Sequence, residues 1–211
     1  MPPSNLTVVS HPLVQHKMAL LRNVDTPTRE FRQLVGEIAT LLAYEATRSL
    51  ETEPVSVRTP LETMEGRRIG RDLIVLVPIL RAGLGMVDAV AALFPNAGVG
   101  HIGLYRNEKT LEPVSYYFKI PPLGAEKVYL VLDPMLATGG SASAAIAKLK
   151  ESGARRIRLI CLVAAPEGAA RMMTDHPDVA VFVAALDRQL NEHGYILPGL
   201  GDAGDRLFGT Q

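Results

Sequence analysis

Residues 128–143 read VYLVLDPMLATGGSAS, and this stretch decides the fold class. Val128–Leu132 is an uninterrupted apolar run with the length and β-branched content of a strand buried on both faces. Asp133 follows at the carboxyl end of that strand, where open α/β sheets place their ligand crevice. A helical pattern over 142–150 comes next, so the stretch predicts a strand, a turn and a helix in direct succession.

The turn Thr138–Ser141 has the composition of a phosphate-binding loop. Its two central glycines let the backbone approach a ligand closely, and its two terminal hydroxyls join the free N–H groups of the first helical turn. Asp133 could then accept hydrogen bonds from sugar hydroxyls of the same ligand. An ordinary helix cap is the alternative explanation, and it would account for a lone Gly-Gly pair after a strand.

Strands and helices alternate through most of the chain. Strands are predicted at 55–60, 73–77 (ended by Pro78), 99–104, 116–120, 157–163 and 179–184, and helices at 13–21, 31–50, 86–94 and 167–175. This alternation predicts an α/β fold with an open, mainly parallel twisted sheet flanked by helices. We expect one domain over 1–211, with a core at about 68–186. The amino-terminal helices should pack beside the sheet or between subunits.

Composition excludes several classes of protein. Lys+Arg and Asp+Glu balance at 22 each, so no overall basic field would attract nucleic acid or a membrane. The single cysteine, Cys161, lies in an apolar run and is expected to be a buried thiol in a reducing compartment. The first residues lack a signal-peptide pattern and no apolar run reaches membrane-spanning length, which favours a cytoplasmic location. The five histidines have no metal-binding spacing and are interpreted as structural or surface groups.

The carboxy-terminal stretch 194–206 reads GYILPGLGDAGDR. Five of its thirteen residues are glycine or proline, so a regular helix or a central strand is not expected there. A tail that merely ends the domain is one reading, but its apolar residues are not typical of a disordered tail. Backbone groups held in fixed turns can match the donors and acceptors of a flat base such as uracil.

Four segments resemble the type I phosphoribosyltransferases, and in particular the uracil phosphoribosyltransferase family. The nonapeptide 133–141 resembles the signature for phosphoribosyl pyrophosphate (PRPP), although Asp133-Pro134 replaces the two adjacent acids of most relatives. The segment 78–86, PILRAGLGM, is similar to the pyrophosphate-binding loop, which often holds a non-proline cis bond. The segment 105–110 resembles the mobile flap, and 187–211 resembles the uracil-binding hood.

The resemblance implies a set of site residues. The catalytic residues would be Arg106, which stabilises the departing pyrophosphate, and Asp202, which lies between base and PRPP; Lys109 on the flap ranks lower. PRPP would contact Arg81, Arg106, Asp133, Pro134, Met135, Leu136, Ala137, Thr138, Gly139, Gly140, Ser141 and Asp202. Uracil would contact Ile196, Gly201, Asp202 and Ala203, largely through the main chain. Mg²⁺ would be bound mainly through PRPP oxygens, with no metal-ligating residues assigned.

By this resemblance the protein converts uracil and PRPP into UMP and pyrophosphate, as in pyrimidine salvage. GTP as an activator and a homodimer or larger homo-oligomer are further implications, without a motif that locates either. The alternatives are another nucleobase phosphoribosyltransferase, a PRPP-binding regulator that binds RNA, and an inactive nucleotide-binding subunit. A base-specific hood weighs against the first, neutral composition against the second, and the presence of Asp133, Arg81 and the hood against the third.

Overall fold

A computed structural model describes residues 5–71, 73–106, 113–122, 124 and 126–210. The strands are β1 Leu6–Val8, β2 Glu53–Arg58, β3 Thr63–Arg68, β4 Ile74–Leu80, β5 Gly98–Val99, β6 His101–Arg106, β7 Pro113–Lys119, β8 Val128–Leu132, β9 Met135–Leu136, β10 Arg156–Ala164, β11 Ala180–Leu186, β12 Gln189–Leu190 and β13 Ile196–Leu197. The helices are α1 Pro12–Arg22, α2 Thr28–Ala46, α3 Leu84–Leu93, α4 Gly140–Glu151, α5 Pro166–Asp175 and α6 Ala203–Phe208.

The central sheet has the order β1-β11-β10-β8-β4-β6-β7, with β5 beside β4 and β9 beside β10. All of its pairings are parallel except that of β6 with β7, which confirms the mainly parallel sheet, and these two strands form an antiparallel hairpin at its edge. The middle strands β8 and β4 are buried almost throughout, as their unbroken apolar runs predict.

Helices cover both faces of the sheet. One apolar core joins α1, α2, α3 and α6 to the sheet residues that point to their side, and a second core joins α4 and α5 to the opposite face. The amino-terminal helices therefore pack beside the sheet, one of the two placements left open by the sequence. Cys161 is buried in the second core, as expected, and burial raises the pKa of its thiol well above the ordinary value.

Several boundaries differ from the sequence prediction. The strand predicted to end at Pro78 continues to Leu80, because Pro78 pairs with Leu132 of β8 and the next two residues pair with β6. The predicted strand 55–60 is one arm of an antiparallel hairpin whose second arm, β3, was not predicted. The second helix ends at Ala46, four residues before the predicted end. No helix of the described residues is long and apolar enough to cross a membrane.

Candidate active site

The phosphate loop, residues 133–141, lies where the central strand β8 ends. The short strand β9 pairs with β10 in this loop, and α4 begins at Gly140. Gly139 has a φ of 76°, a left-handed conformation that favours glycine. At Gly168, the start of α5 packs so closely that an added Cβ would lie 2.5 Å from the Ala137 carbonyl oxygen. The loop is therefore held from both sides before any ligand binds.

The phosphate loop and the hood meet at one cavity of about 210 Å³. Its lining consists of Asp133, Met135, Leu136, Ala137, Thr138, Gly139, Gly140, Ser141, Ala142 and Gly194. The first nine residues belong to the loop and the start of α4, whereas Gly194 comes from the hood. Tertiary structure thus joins two segments that the sequence analysis assigned separately to PRPP and to uracil.

The carboxyl group of Asp133 has an unusually high pKa for an aspartate. Its surroundings remove water from the carboxyl and raise its pKa to about 7, and the hydrogen bond from the Met135 N–H, at 3.3 Å, opposes this shift. The side chain keeps some access to solvent through the cavity that it lines. In the absence of a ligand, the folded chain therefore holds a proton at Asp133 far more readily than the unfolded chain does.

We expect Asp133→Asn to raise the free energy of unfolding at pH 8 by about 2 kcal/mol. The unfolded carboxyl ionises near pH 4 and the folded one near pH 7, so the aspartate destabilises the fold progressively as pH rises through this window and fully above it. Solvent access makes the gain smaller than the full shift implies. Asparagine keeps an oxygen that can accept the bond from Met135.

Urea unfolding of both proteins at pH 4 and pH 8 measures this difference, with ligand absent. Near pH 4 most of the difference should disappear, because the aspartic acid is then uncharged in the folded protein and only partly ionised in the unfolded chain. An asparagine variant that is no more stable than the parent at pH 8 would show that water already solvates the carboxylate in the folded protein.

Arg81 lies between the sheet and the hood. The peptide bond Leu80–Arg81 is cis, as the resemblance implies. The Arg81 guanidinium is exposed, lies 4.0 Å from an Asp205 carboxylate oxygen and stands over the Phe208 ring at 6.0 Å. Both partners belong to α6, which lies within the hood. Arg81 therefore directly follows β4 and contacts the carboxy-terminal helix, and its role in PRPP binding stays a prediction.

The flap prediction falls largely outside the described residues. Arg106 ends β6, so its backbone leaves the sheet at the end of an edge hairpin, but its side chain is not among the described ones. Lys109 lies outside the described residues altogether. The roles assigned to these two residues stay predictions.

The hood is built from turns and one short antiparallel pairing. β12 pairs with β13, the Leu197–Pro198 bond is cis, and Gly194, Gly199 and Gly201 all have positive φ values. The expectation that 194–206 contains no regular helix is wrong at its end, because α6 begins at Ala203. The Asp202 carboxylate caps this helix by accepting a 2.9 Å hydrogen bond from the Asp205 N–H, a local signal that the glycine count obscured.

The predicted uracil-binding residues differ in their surroundings. Ile196 and Ala203 are buried, whereas Gly201 and Asp202 are exposed. Gly201 and Asp202 also line a second cavity of about 540 Å³, which lies between the hood and residues 22–28. That cavity is separate from the one at the phosphate loop, so the hood presents one side to the loop and another to the amino-terminal helices.

A polar cluster around the buried residues Ser143 and His176 was not found by sequence reasoning. The Ser143 hydroxyl donates to Asp175 at 2.7 Å, and the His176 Nε2 lies 3.0 Å from the Ser143 carbonyl oxygen. Lys150 Nζ lies 3.3 Å from His176 Nδ1. Because the Ser143 hydroxyl is buried and donates its hydrogen bond to the Asp175 carboxylate, the cluster links α4 to the end of α5. His176 is thus a structural residue, as predicted.

Comparisons with known proteins agree on one family. The uracil phosphoribosyltransferase family profile matches residues 8–210. A protein of Acidovorax sp. (strain JS42) named uracil phosphoribosyltransferase is 56% identical over 208 residues, covering 99% of this chain and 100% of its own length. One of Symbiobacterium thermophilum with the same name is 57% identical over 208 residues, with the same coverage.

Solved structures support the same fold. The AQ2163 protein of Aquifex aeolicus superimposes with a TM-score of 0.93 at 39% identity, covering 98% of this chain and 99% of its own. A hypoxanthine-guanine phosphoribosyltransferase of Bacillus anthracis has a TM-score of 0.52 at 13% identity over 76% of this chain and 80% of its own, a likeness of fold alone. The full-length identity to named relatives, together with the phosphate loop and hood, decides the matter: this chain belongs to the uracil phosphoribosyltransferase family, whose activity is transfer of the phosphoribosyl group from PRPP to uracil.

Proposed function

We propose that the transfer takes place in the crevice shared by the phosphate loop, the Arg81 segment and the hood. The observation that carries this proposal is the 210 Å³ cavity, whose lining includes both the phosphate loop and Gly194 of the hood. A substrate that joins a phosphate to a base through a ribose needs two such surfaces at one cavity. The reaction forms UMP and releases pyrophosphate.

PRPP is held by the phosphate loop in this proposal. The backbone N–H groups and hydroxyls of Thr138–Ser141 bind the 5-phosphate at the start of α4, where the helix dipole favours an anion. Asp133 accepts hydrogen bonds from the ribose hydroxyls, and ionisation of its carboxyl on binding strengthens them. The remaining loop residues, Pro134, Met135, Leu136 and Ala137, contact the ribose and the phosphate through the shape of the backbone.

Uracil is read by the main chain of Ile196, Gly201 and Ala203. Backbone groups in turns of fixed shape can pair with both the carbonyl oxygens and the N–H groups of the base. A base with a different pattern leaves some of these groups unpaired, which is the physical source of selectivity. Asp202 lies between the base and the ribosyl centre.

Departure of pyrophosphate leaves positive charge on the ribosyl centre. Arg81 and Arg106 stabilise the leaving pyrophosphate, and Asp202 supplies a carboxylate near the developing cation. The described residues contain no group of three or more His, Cys, Asp or Glu that could hold a metal, and Asp133 is the carboxylate in the lining of the phosphate-loop cavity. This donor set fits a Mg²⁺ ion that PRPP brings with it, and such an ion would neutralise charge on the pyrophosphate.

Three further expectations belong to the same proposal. GTP acts as an activator, the protein assembles as a homodimer or larger homo-oligomer, and it works in the cytoplasm. Family resemblance supports the first two, and the single, buried and unpaired Cys161 supports the third. Uracil and PRPP are the substrates, and neither nucleic acid nor a membrane is a partner.

A base-choice assay tests the proposal. The protein is given PRPP and Mg²⁺ with uracil, cytosine, hypoxanthine or orotate, each with and without GTP. We expect UMP from uracil and no product from the other bases, with a higher rate when GTP is present. Product from hypoxanthine would point to a different nucleobase enzyme, and tight PRPP binding without any product would favour the RNA-binding regulator.

The same assay tests the arginine roles. We expect Arg106→Ala to raise KM for PRPP more than KM for uracil, because its contact is with the leaving group. Arg155→Ala serves as the control. It removes the same charge from the residue directly before β10, at the amino end of that strand and opposite the end of the sheet that carries the proposed site. An equal rise of both KM values in Arg106→Ala would instead indicate that the whole flap has lost its shape.

A further inference from the structure

An ion pair from the other end of the chain holds the hood in place. Arg22, the last residue of α1, makes two hydrogen bonds to the Asp187 carboxylate, at 2.8 and 2.6 Å. The Asp187 side chain exposes only 5% of its surface and that of Arg22 exposes 22%. Such a buried, two-bond pair has a fixed geometry, in contrast to an exposed ion pair.

The same two side chains hold both polar backbone groups of Gly199. Arg22 Nη1 donates to the Gly199 carbonyl oxygen at 2.6 Å, and the Gly199 N–H donates to Asp187 Oδ2 at 2.8 Å. Because Nη1 also donates to Oδ2, the three residues close a ring of hydrogen bonds. The N–H of Asp187 itself donates to the Ala164 carbonyl oxygen at 2.8 Å, so the ring is attached to the end of β10.

A second arginine, Arg206, holds the next residue of the hood, Leu200, through its backbone carbonyl. Arg206 of α6 donates to the Leu200 carbonyl oxygen at 2.8 Å and to the Asn23 carbonyl oxygen at 2.6 Å. Its guanidinium also stands over the Phe31 ring at 4.2 Å. Gly199 and Leu200 are therefore both tied to residues 22 and 23, which follow one another at the end of α1.

The anchored residues come immediately before the backbone proposed to read the base. Gly201, Asp202 and Ala203 follow Leu200 directly, and Gly199 itself has a φ of 65° that few other residues adopt. Backbone recognition requires its donors and acceptors to stay in place to within a fraction of an ångström. The phosphate loop and the ring both meet the end of β10, but they do so through backbone pairing that side-chain changes at Arg22 and Asp187 leave in place. Loss of the ring should therefore act mainly on the surface proposed to bind the base.

We propose that Arg22 and Asp187 are positioning residues for uracil: their ion pair fixes the Gly199 backbone and so sets the geometry with which the hood binds the base. This inference rests on the proposed role of the hood. It gives α1 a function that neither the motifs nor the family resemblance assigns. It also predicts that losing the ring weakens uracil binding selectively.

The test compares KM for uracil with KM for PRPP in two variants. Asp187→Asn keeps one oxygen for the Gly199 N–H but weakens the pair with Arg22, and we expect KM for uracil to rise about tenfold while KM for PRPP changes less than about twofold. Arg22→Lys keeps the charge, but a single ammonium cannot match the planar fork, so the same selective rise should be smaller. If Asp187→Asn folds poorly, the KM values of Arg22→Lys still test the inference.

Glu37→Gln is the matched control. This change breaks the Lys17–Glu37 ion pair, which is partly exposed and joins α1 to α2. It leaves the contacts between α1 and the hood intact. Both KM values should stay within about twofold of the parent values, even where stability falls. Equal rises in both KM values in the ring variants, or loss of stability with neither KM changed, would overturn the inference. A parent protein that forms no UMP would instead contradict the proposed function.

Discussion

Replacing Asp202 by asparagine is expected to lower kcat by about 100-fold or more while the protein stays folded. The proposed role of this carboxylate is to face the positive charge that develops on the ribosyl centre, and an amide supplies no such charge. Asn also retains the oxygen that accepts the Asp205 N–H, so the start of α6 stays capped. Steady-state kinetics and thermal unfolding of the variant measure the two effects separately.

Asp202→Ala provides the comparison. It removes both the charge and the cap, so turnover should fall as far as in the asparagine variant, with an additional loss of about 1 kcal/mol in stability. A folded asparagine variant with normal turnover would show that Asp202 acts only as a helix cap, and would remove it from the mechanism.

Gly83→Ala is expected to lower the free energy of unfolding by about 3 kcal/mol and to weaken PRPP binding. An added Cβ would lie 2.7 Å from the Ile79 carbonyl oxygen and 2.8 Å from its nitrogen, and would also contact the Leu132 carbonyl oxygen. All three atoms are backbone, so the contacts can be relieved only by distorting the Arg81 segment itself and by moving it away from the end of β8. Arg81, two residues before Gly83, would then be displaced from the position in which we propose that it binds PRPP.

Gly70→Ala is the matched control for this change. It lies on the surface before β4, has no positive φ, and offers open space to a Cβ, so its stability should change by less than about 0.5 kcal/mol. Urea unfolding and PRPP titration of both variants decide the matter. A Gly83→Ala protein with unchanged stability and unchanged KM for PRPP would mean that the segment accommodates the methyl group without displacing Arg81.

The central strand and its loop could be predicted from the sequence alone. Val128–Leu132 was predicted with the bounds observed, because an unbroken apolar run is a local property of a strand buried on both faces. The same holds for the placement of Asp133 at the strand end, whereas α4 begins at Gly140, two residues before its predicted start. Motifs of this kind are contiguous, so their geometry is set largely by neighbours in the chain.

Elements stabilised by distant partners were missed. β1 is three residues long and exists because it pairs with β11, at the other end of the chain. β3 carries charged and exposed residues and is a strand because β2 lies beside it. The short helix α6 was hidden by glycines that actually shape the turn before it. For the two strands, long-range pairing overrode a weak local propensity, whereas the signal for α6 was the local cap at Asp202.

Sequence by itself determined the fold class, the phosphate loop and the family, since each rests on residues that are adjacent in the chain. Only the tertiary structure decided that Gly194 of the hood meets the phosphate loop at one cavity, and that Arg22 and Asp187 close a ring on Gly199 across more than 160 positions of the chain. The physical reason is that hydrogen-bond geometry between side chain and backbone depends on where the helices pack. Packing is a property of the whole apolar core and of no single motif.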